Sequence, residues 1–296
     1  MNEHYNDICS GGSQDYLNTG AKDQCLEAVT VLLVLAKEEF RFDTIADFKD
    51  KTKWDAAIAS RDLVPLYELY ELTPANTDET FYENRNFRKR TGRAVKITTA
   101  EAYTSICSHN AMVSYAQSTE YTRLFEVTED GDVMGVYDDD LTKIKGQKIK
   151  DFTVGIRQPA TTEKPPTSPI TMTYADYREF EQGAVIATPD FDPVMDLYGI
   201  FDVKFNVISA SATTVVFTAT SGCKSENYGD LDLATLKLFE ADGVTDQSAV
   251  FTYDSVTMQY TATGTGFVTG VLSTDGVQTD STTGEMYEGS DIVTIV

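Results

Sequence analysis

From residue 199 to residue 296 the chain repeats one pattern: a short run rich in β-branched and aromatic residues, then a turn built on glycine, serine or aspartate. The runs are 200–208, 214–220, 235–240, 249–253, 257–262, 266–272 and 291–296, and the turns carry Ser221-Gly222, Asp242-Gly243, Gly264, Asp275-Gly276 and Gly284. Threonine, valine and isoleucine are stiff at χ1 and pack well on a pleated surface, so runs of this length between turn residues predict strands. Their number and spacing predict an immunoglobulin-like β-sandwich. The landmarks of antibody domains are missing, because the sole tryptophan is Trp54 and Cys223 has no second cysteine in this stretch.

Residues 1–198 mix helical and strand patterns, and the chain as a whole predicts a mainly β protein with minor α content. Residues 1–21 contain Gly11-Gly12-Ser13, Asn18 and Gly20 and predict an irregular N-terminal arm. A first domain follows over 22–190. The apolar run CLEAVTVLLVLA at 25–36 predicts a strand covered on both faces. Thr44, with Asp47 three residues on, predicts a capped helix over 45–60. Strands are expected at 63–72, 95–104, 144–157 and 169–176, with a helix at 106–116 and a helical turn or twisted edge at 174–186. The segment Glu129-Asp130-Gly131-Asp132 lies between two strand-like runs and predicts a hairpin. Residues 73–94 form a long polar segment and predict a loop, which is unusual at this length inside a compact domain unless it has a task. Pro189 and Pro193 flag 191–198 as the linker to the second domain, 199–296.

Charge narrows the function classes. The formal net charge is −23, and residues 199–296 hold only three bases, Lys204, Lys224 and Lys237. Such a field favours solubility and opposes binding to nucleic acid or anionic membranes. The N-terminus lacks a basic and then apolar leader, and the longest apolar stretch, 29–36, is too short to span a bilayer. These features predict a soluble chain made in a cytoplasm. Cys9, Cys25, Cys107 and Cys223 are too scattered for a disulfide framework or a zinc motif and predict free thiols.

Catalytic patterns are weak. Cys107-Ser108-His109 brings a thiol near an imidazole, but residues two apart face away from each other on a helix. His4 has no companion at ligand spacing. The acidic groups Glu129-Asp130-Asp132, Asp138-Asp139-Asp140, Glu226-Asp230-Asp232 and Asp242-Asp246 do not follow the EF-hand spacing and predict solvated turns. Paired carboxylates carry no information in a chain with 47 acids. The expectation is no catalytic site, no cofactor and no metal.

The sharpest local anomaly is the run Arg85-Asn86-Phe87-Arg88-Lys89-Arg90-Thr91-Gly92-Arg93, five positive charges and no acid in an acidic chain. It reads as a solvated loop, as a nucleic-acid contact, or as a connector to the acidic surface of an identical neighbour. The surrounding field disfavours nucleic acid. Contacts between different patches of one protein generate rings or tubes. Arg85, Phe87, Arg88, Lys89, Arg90 and Arg93 are the candidate subunit-interface residues.

Several phrases carry a resemblance: Cys25-Leu26-Glu27-Ala28-Val29, Lys53-Trp54-Asp55-Ala56-Ala57-Ile58, Val64-Pro65-Leu66-Tyr67, the stretch from Tyr121 to Gly131, Ile144-Lys145-Gly146-Gln147, Pro165-Pro166, and Ile170 to Tyr177. Over roughly residues 20–190 the chain resembles virion proteins of tailed bacteriophages, crAss-like phages among them, and within these the tail-tube-like or neck and tail ring subunits. The resemblance implies a β-sandwich or barrel with one helix and long loops reaching to neighbouring subunits. It implies a six- or twelvefold ring or tube around the DNA channel, contacts with other tail or neck proteins, and DNA passing through without sequence-specific binding. It also implies an outer immunoglobulin-like domain, a place in the virion, and synthesis in the bacterial host. The rival expectation is a host-surface or glycan-binding module carried by residues 199–296, with Tyr228, Phe251, Tyr253 and Tyr287 as the aromatic candidates.

Overall fold

The computed structural model describes residues 8–10, 28–66, 68–85, 87–138, 140, 142–221, 226–229, 231–280 and 284–295, with backbone alone at 8–10 and 182. The described residues form twenty-three strands and five helices, a mainly β chain with minor α content. The chain divides into two compact units, Met1–Leu197 and Tyr198–Val296. Most of the expected arm 1–21, including His4, lies outside the described residues, as do Cys25, Asp139, Cys223 and Asp230.

In the first unit, β1 (Ile8–Ser10) precedes β2 (Thr30–Lys37), whose run Leu32–Ala36 is buried throughout. That is the two-sided burial its unbroken apolar sequence predicts. The helix expected at 45–60 is two helices, α1 (Ile45–Lys49) and α2 (Lys51–Ala59). Thr44 Oγ1 accepts from the Asp47 N–H at 3.1 Å and starts the first. Asp50, extended at ψ 115, ends the first and accepts from the Thr52 N–H at 2.9 Å to start the second. Aspartate favours this half-in position over a helix interior, which is why the helix breaks there.

The chain continues as β3 (Leu63–Pro65), β4 (Leu69–Pro74), β5 (Thr80–Asn84), β6 (Phe87–Gly92), β7 (Ile97–Tyr103) and α3 (Ile106–Gln117). Then come β8 (Tyr121–Thr128), β9 (Val133–Tyr137), β10 (Ile144–Lys145), β11 (Gln147–Val154), β12 (Thr167–Tyr174), α4 (Arg178–Gly183), β13 (Ala184–Ala187) and α5 (Pro193–Asp196). Gly131, at φ 84, makes the β8–β9 hairpin turn. The expected linker is ordered up to Leu197: Asp192 Oδ1 accepts from the Val194 and Met195 N–H groups, and Pro193 and Leu197 are buried.

Eleven of these strands form one sheet in the order β1-β13-β9-β8-β11-β12-β7-β4, with β2 on the other edge of β8, β3 beside β2 and β10 beside β9. β11 joins two halves: Gln147 and Lys148 pair with β8, while residues from Ile149 onward pair with β12, with a register shift between Ile149 and Asp151. Such a bulge bends and twists a strand. Leu33, Leu35 and Leu124 from one half meet Ala100, Ile149, Phe152, Ile170 and Met172 from the other, together with Met112 of α3, in a single core. Strand alternation turns Phe125 to the opposite face of β8, where it meets Phe42, Phe48 and Trp54.

A buried ionic knot fixes α4 to the sheet. Arg123, 4% exposed, reaches Glu38 Oε1 at 2.9 Å and Glu179 Oε1 at 3.2 Å, and donates to the Gly146 carbonyl at 2.9 Å. Lys145 lies 3.4 Å from Glu179 and Lys148 lies 3.1 Å from Glu38. A guanidinium at this depth is tolerable because several oxygens replace its water.

The second unit holds β14 (Ile200–Ala210), β15 (Thr214–Ser221), β16 (Glu226–Asn227), β17 (Leu236–Glu240), β18 (Val250–Asp254) and β19 (Gln259–Thr263). It ends with β20 (Gly270–Thr274), β21 (Gln278–Thr279), β22 (Met286–Glu288) and β23 (Ser290–Val293). One sheet runs β18-β19-β15-β14-β22-β21 with β16 beside β15, and the other runs β17-β20-β23. Phe205, Phe217, Tyr260 and Tyr287 from the first enclose a core with Leu236, Leu238, Leu272 and Val293 from the second. β14 and β22 pair in parallel. At Gly270 an added Cβ would collide with the Phe239 carbonyl oxygen and lie 2.8 Å from Gln247 Nε2. Gly270→Ala should therefore lower the stability of the second unit by about 2–3 kcal/mol, seen as an earlier urea midpoint for that unit. An unchanged midpoint would mean that β17 and β20 can separate without loss.

Candidate functional site: an exposed two-stranded ribbon

The segment expected to be a loop, 73–94, is largely strand. β4 extends to Pro74, Thr77 bridges Val95, and β5 and β6 pair with each other as a separate two-stranded sheet. Thr80, Phe81, Tyr82, Phe87 and Thr91 are strand-forming types, but interleaved charges disguise them as loop. The Asn84 side chain accepts from the Arg85 N–H at 2.6 Å as the chain turns. No described residue of β5 is buried, and in β6 only Gly92 is less than exposed. An isolated ribbon of this kind is marginal in water.

The six interface candidates separate on this scaffold. Register places Phe81 opposite Arg90, Tyr82 opposite Lys89, Glu83 opposite Arg88 and Asn84 opposite Phe87. Opposed residues share a face and successive residues alternate. Phe81, Glu83, Arg88 and Arg90 therefore form one face, and Tyr82, Asn84, Phe87 and Lys89 the other. On the first face the Arg88 guanidinium sits 4.1 Å from the Phe81 ring centroid, and Arg90 meets Glu79 at 2.7 Å. On the second face Tyr82 is 58% and Phe87 57% exposed. Arg85 lies at the turn.

Arg93 lies beyond the ribbon, in a cleft at its root shared with Glu79, Arg90, Lys96, Asp176 and Arg178. Arg178 grips Asp176 with two hydrogen bonds, at 3.0 and 2.6 Å. These bonds, with the Arg178 N–H and the charges of Arg178 and Arg93, hold the Asp176 carboxyl at about 2 against the opposing effect of burial. Lys96 Nζ stands 4.2 Å over the Tyr174 ring and donates to Gln147 Oε1 at 3.2 Å. The cations here face the chain's own acids and rings, so the cleft is a structural joint.

The other sequence candidates disperse. Cys107 is held in a disulfide, which corrects the expectation of a free thiol there; its partner's side chain lies outside the described residues. Four scattered cysteines do not reveal their pairing in sequence. Ser108 closes a capping box with Ser105 at the start of α3. His109 Nδ1 lies 2.9 Å from Ser168 Oγ, which lies 2.6 Å from Thr104 Oγ1, but Ser168 is completely buried and out of a substrate's reach. The acidic turns use their carboxylates locally: Asp138 accepts from the Thr142 and Lys143 N–H groups and Asp242 from those of Val244 and Thr245, which draws both carboxyls below the usual range. Among the described residues no group of three or more potential ligands could hold a metal ion, and no helix is long and apolar enough to cross a membrane. Of the aromatic candidates in the second unit, Phe251 and Tyr287 are buried, and Tyr228 and Tyr253 pack against the same core.

Sequence reasoning found the ribbon's position by its charge but missed its strands. It also missed the knot around Arg123, whose signal was a charged residue two places from Phe125 on a largely buried strand. No protein-family model matches the chain, and no curated protein matches it.

Proposed function

We propose that this chain is a structural subunit of a tailed-bacteriophage virion, one that joins with copies of itself into a ring or tube of the neck or tail around the DNA channel. The observation that carries the reading is the β5–β6 ribbon, a basic, aromatic-bearing arm that forms its own two-stranded sheet, with every described residue of its strands exposed except Gly92. A marginal ribbon is stabilised when another surface covers it, and a head-to-tail contact repeated around an axis closes a ring. The Cys107 disulfide suits a particle that persists outside the reducing cell. The first unit would be the tail-tube-like body and the second an outer immunoglobulin-like domain, with other neck or tail proteins as further partners.

The test is electron microscopy and mass photometry of the full chain. The wild type should give annular particles. Excision of residues 80–92 with a short glycine bridge should give monomers that keep the core fold, since Thr80 and Gly92 are already paired at the ribbon's base. A wild type without annular particles would overturn the assembly reading, and rings that survive the excision would remove the ribbon from it.

A further inference from the structure

We infer that the ribbon engages through one face only, the face bearing Tyr82, Phe87 and Lys89, and that its occupant is an acidic surface on a second copy of this chain. The inference rests on the self-assembly reading and goes further by assigning the contact face. The basic run in the sequence suggests that arginines make the contact. The register separates Arg88 and Arg90 from Tyr82, Phe87 and Lys89. Arg88 is engaged with the Phe81 ring at 4.1 Å, and Arg90 with Glu79 at 2.7 Å. Their face is already partnered within the chain, so docking there would first disrupt those contacts. The opposite face presents two aromatic rings more than half exposed. Aromatic anchors beside a cation suit a surface that is apolar at its centre and acidic at its rim.

Charge argues for a second copy as the occupant. Residues 79–93 carry five bases against two acids, while the rest of the chain carries 19 bases against 45 acids. Any second copy therefore offers the ribbon a field of opposite sign, which speeds and orients encounter. Two aromatic side chains bury at most about 500 Å², less than one side of a standard stable interface. The single contact is accordingly weak, and stability comes from closing many such contacts into one particle.

Sedimentation velocity of the full chain over a concentration series tests this. Tyr82→Ser with Phe87→Ser should weaken association about thirtyfold. Arg88→Gln with Arg90→Gln should change it less than about threefold. Lys89→Gln should flatten the salt dependence. All these positions are exposed and outside the cores, and unchanged Trp54 fluorescence would verify folding. If the arginine pair abolishes association and the aromatic pair does not, the face assignment is wrong while self-assembly stands. A wild type that stays monomeric up to about 1 mM, where even a ~4 kcal/mol contact would register, overturns both.

Discussion

Arg123→Ala should destabilise the first unit by about 4 kcal/mol, read as a large fall in the urea midpoint of Trp54 fluorescence. The chain has one tryptophan, so this signal reports the first unit alone. Arg123 is 4% exposed and joins Glu38, Glu179 and the Gly146 carbonyl. Its removal takes a buried donor from the Gly146 carbonyl and from the partly exposed Glu38 and Glu179 carboxylates at once, and the loss of all three contacts is what destabilises. Lys148→Ala is the contrast, because Lys148 is about half-exposed and bonds the same Glu38. Its loss should be below about 1 kcal/mol. Equal losses in the two variants would show that burial of the guanidinium is not what matters.

The acid limb should follow the same geometry. Burial raises the Glu38 carboxyl, but hydrogen bonds from Thr122, Lys148 and Arg123, with Arg123's charge, bring it down to about 2. A carboxyl depressed on folding stabilises above its unfolded value, near 4.5, and that contribution fades as pH falls toward 2. In Arg123→Ala the folded value rises toward the unfolded one, so stability should depend less on pH across this window.

Trp54→Ala should remove about 4 kcal/mol from the same unit, with near-ultraviolet circular dichroism following the unfolding. The indole is fully buried, 4.8 Å from the Phe42 ring centroid and 5.4 Å from that of Phe125. Its Nε1–H donates to the Phe48 carbonyl at 2.7 Å, near where α1 ends. Alanine would leave a cavity among rings that cannot all move inward, and an unsatisfied carbonyl. Trp54→Phe refills most of the space and should lose only about 1–2 kcal/mol, chiefly the hydrogen bond. A small loss in the alanine variant would mean that α1 and α2 settle onto the sheet without the indole.

Local chemistry explains which elements the sequence revealed. The unbroken apolar run of β2, the Thr44 cap and the Asp130-Gly131 turn each depend on residues close in sequence, and all three appear near their expected places. In the second unit β15, β17 and β19 fall close to their runs for the same reason. β16, β21 and β22 were invisible, being two or three residues long and defined by their partners. The ribbon's charges masked its strand pattern because neither face is covered, so no apolar alternation was required of it. The division of Arg88 and Arg90 from Tyr82, Phe87 and Lys89 depends on register, which composition does not encode.

The parallel pairing of Ile200 with Met286 sets an order of events during synthesis. The opening strand of the second unit waits for residues more than eighty places further on, and such distant pairing is slow to form. Until β22 and β23 emerge from the ribosome, β14 has one unclaimed side able to pair with another nascent chain. The first unit can mature before then, since among the described residues its strands pair within that unit. Truncation before Met286 should consequently yield a sound first unit carrying a sticky, half-built second one.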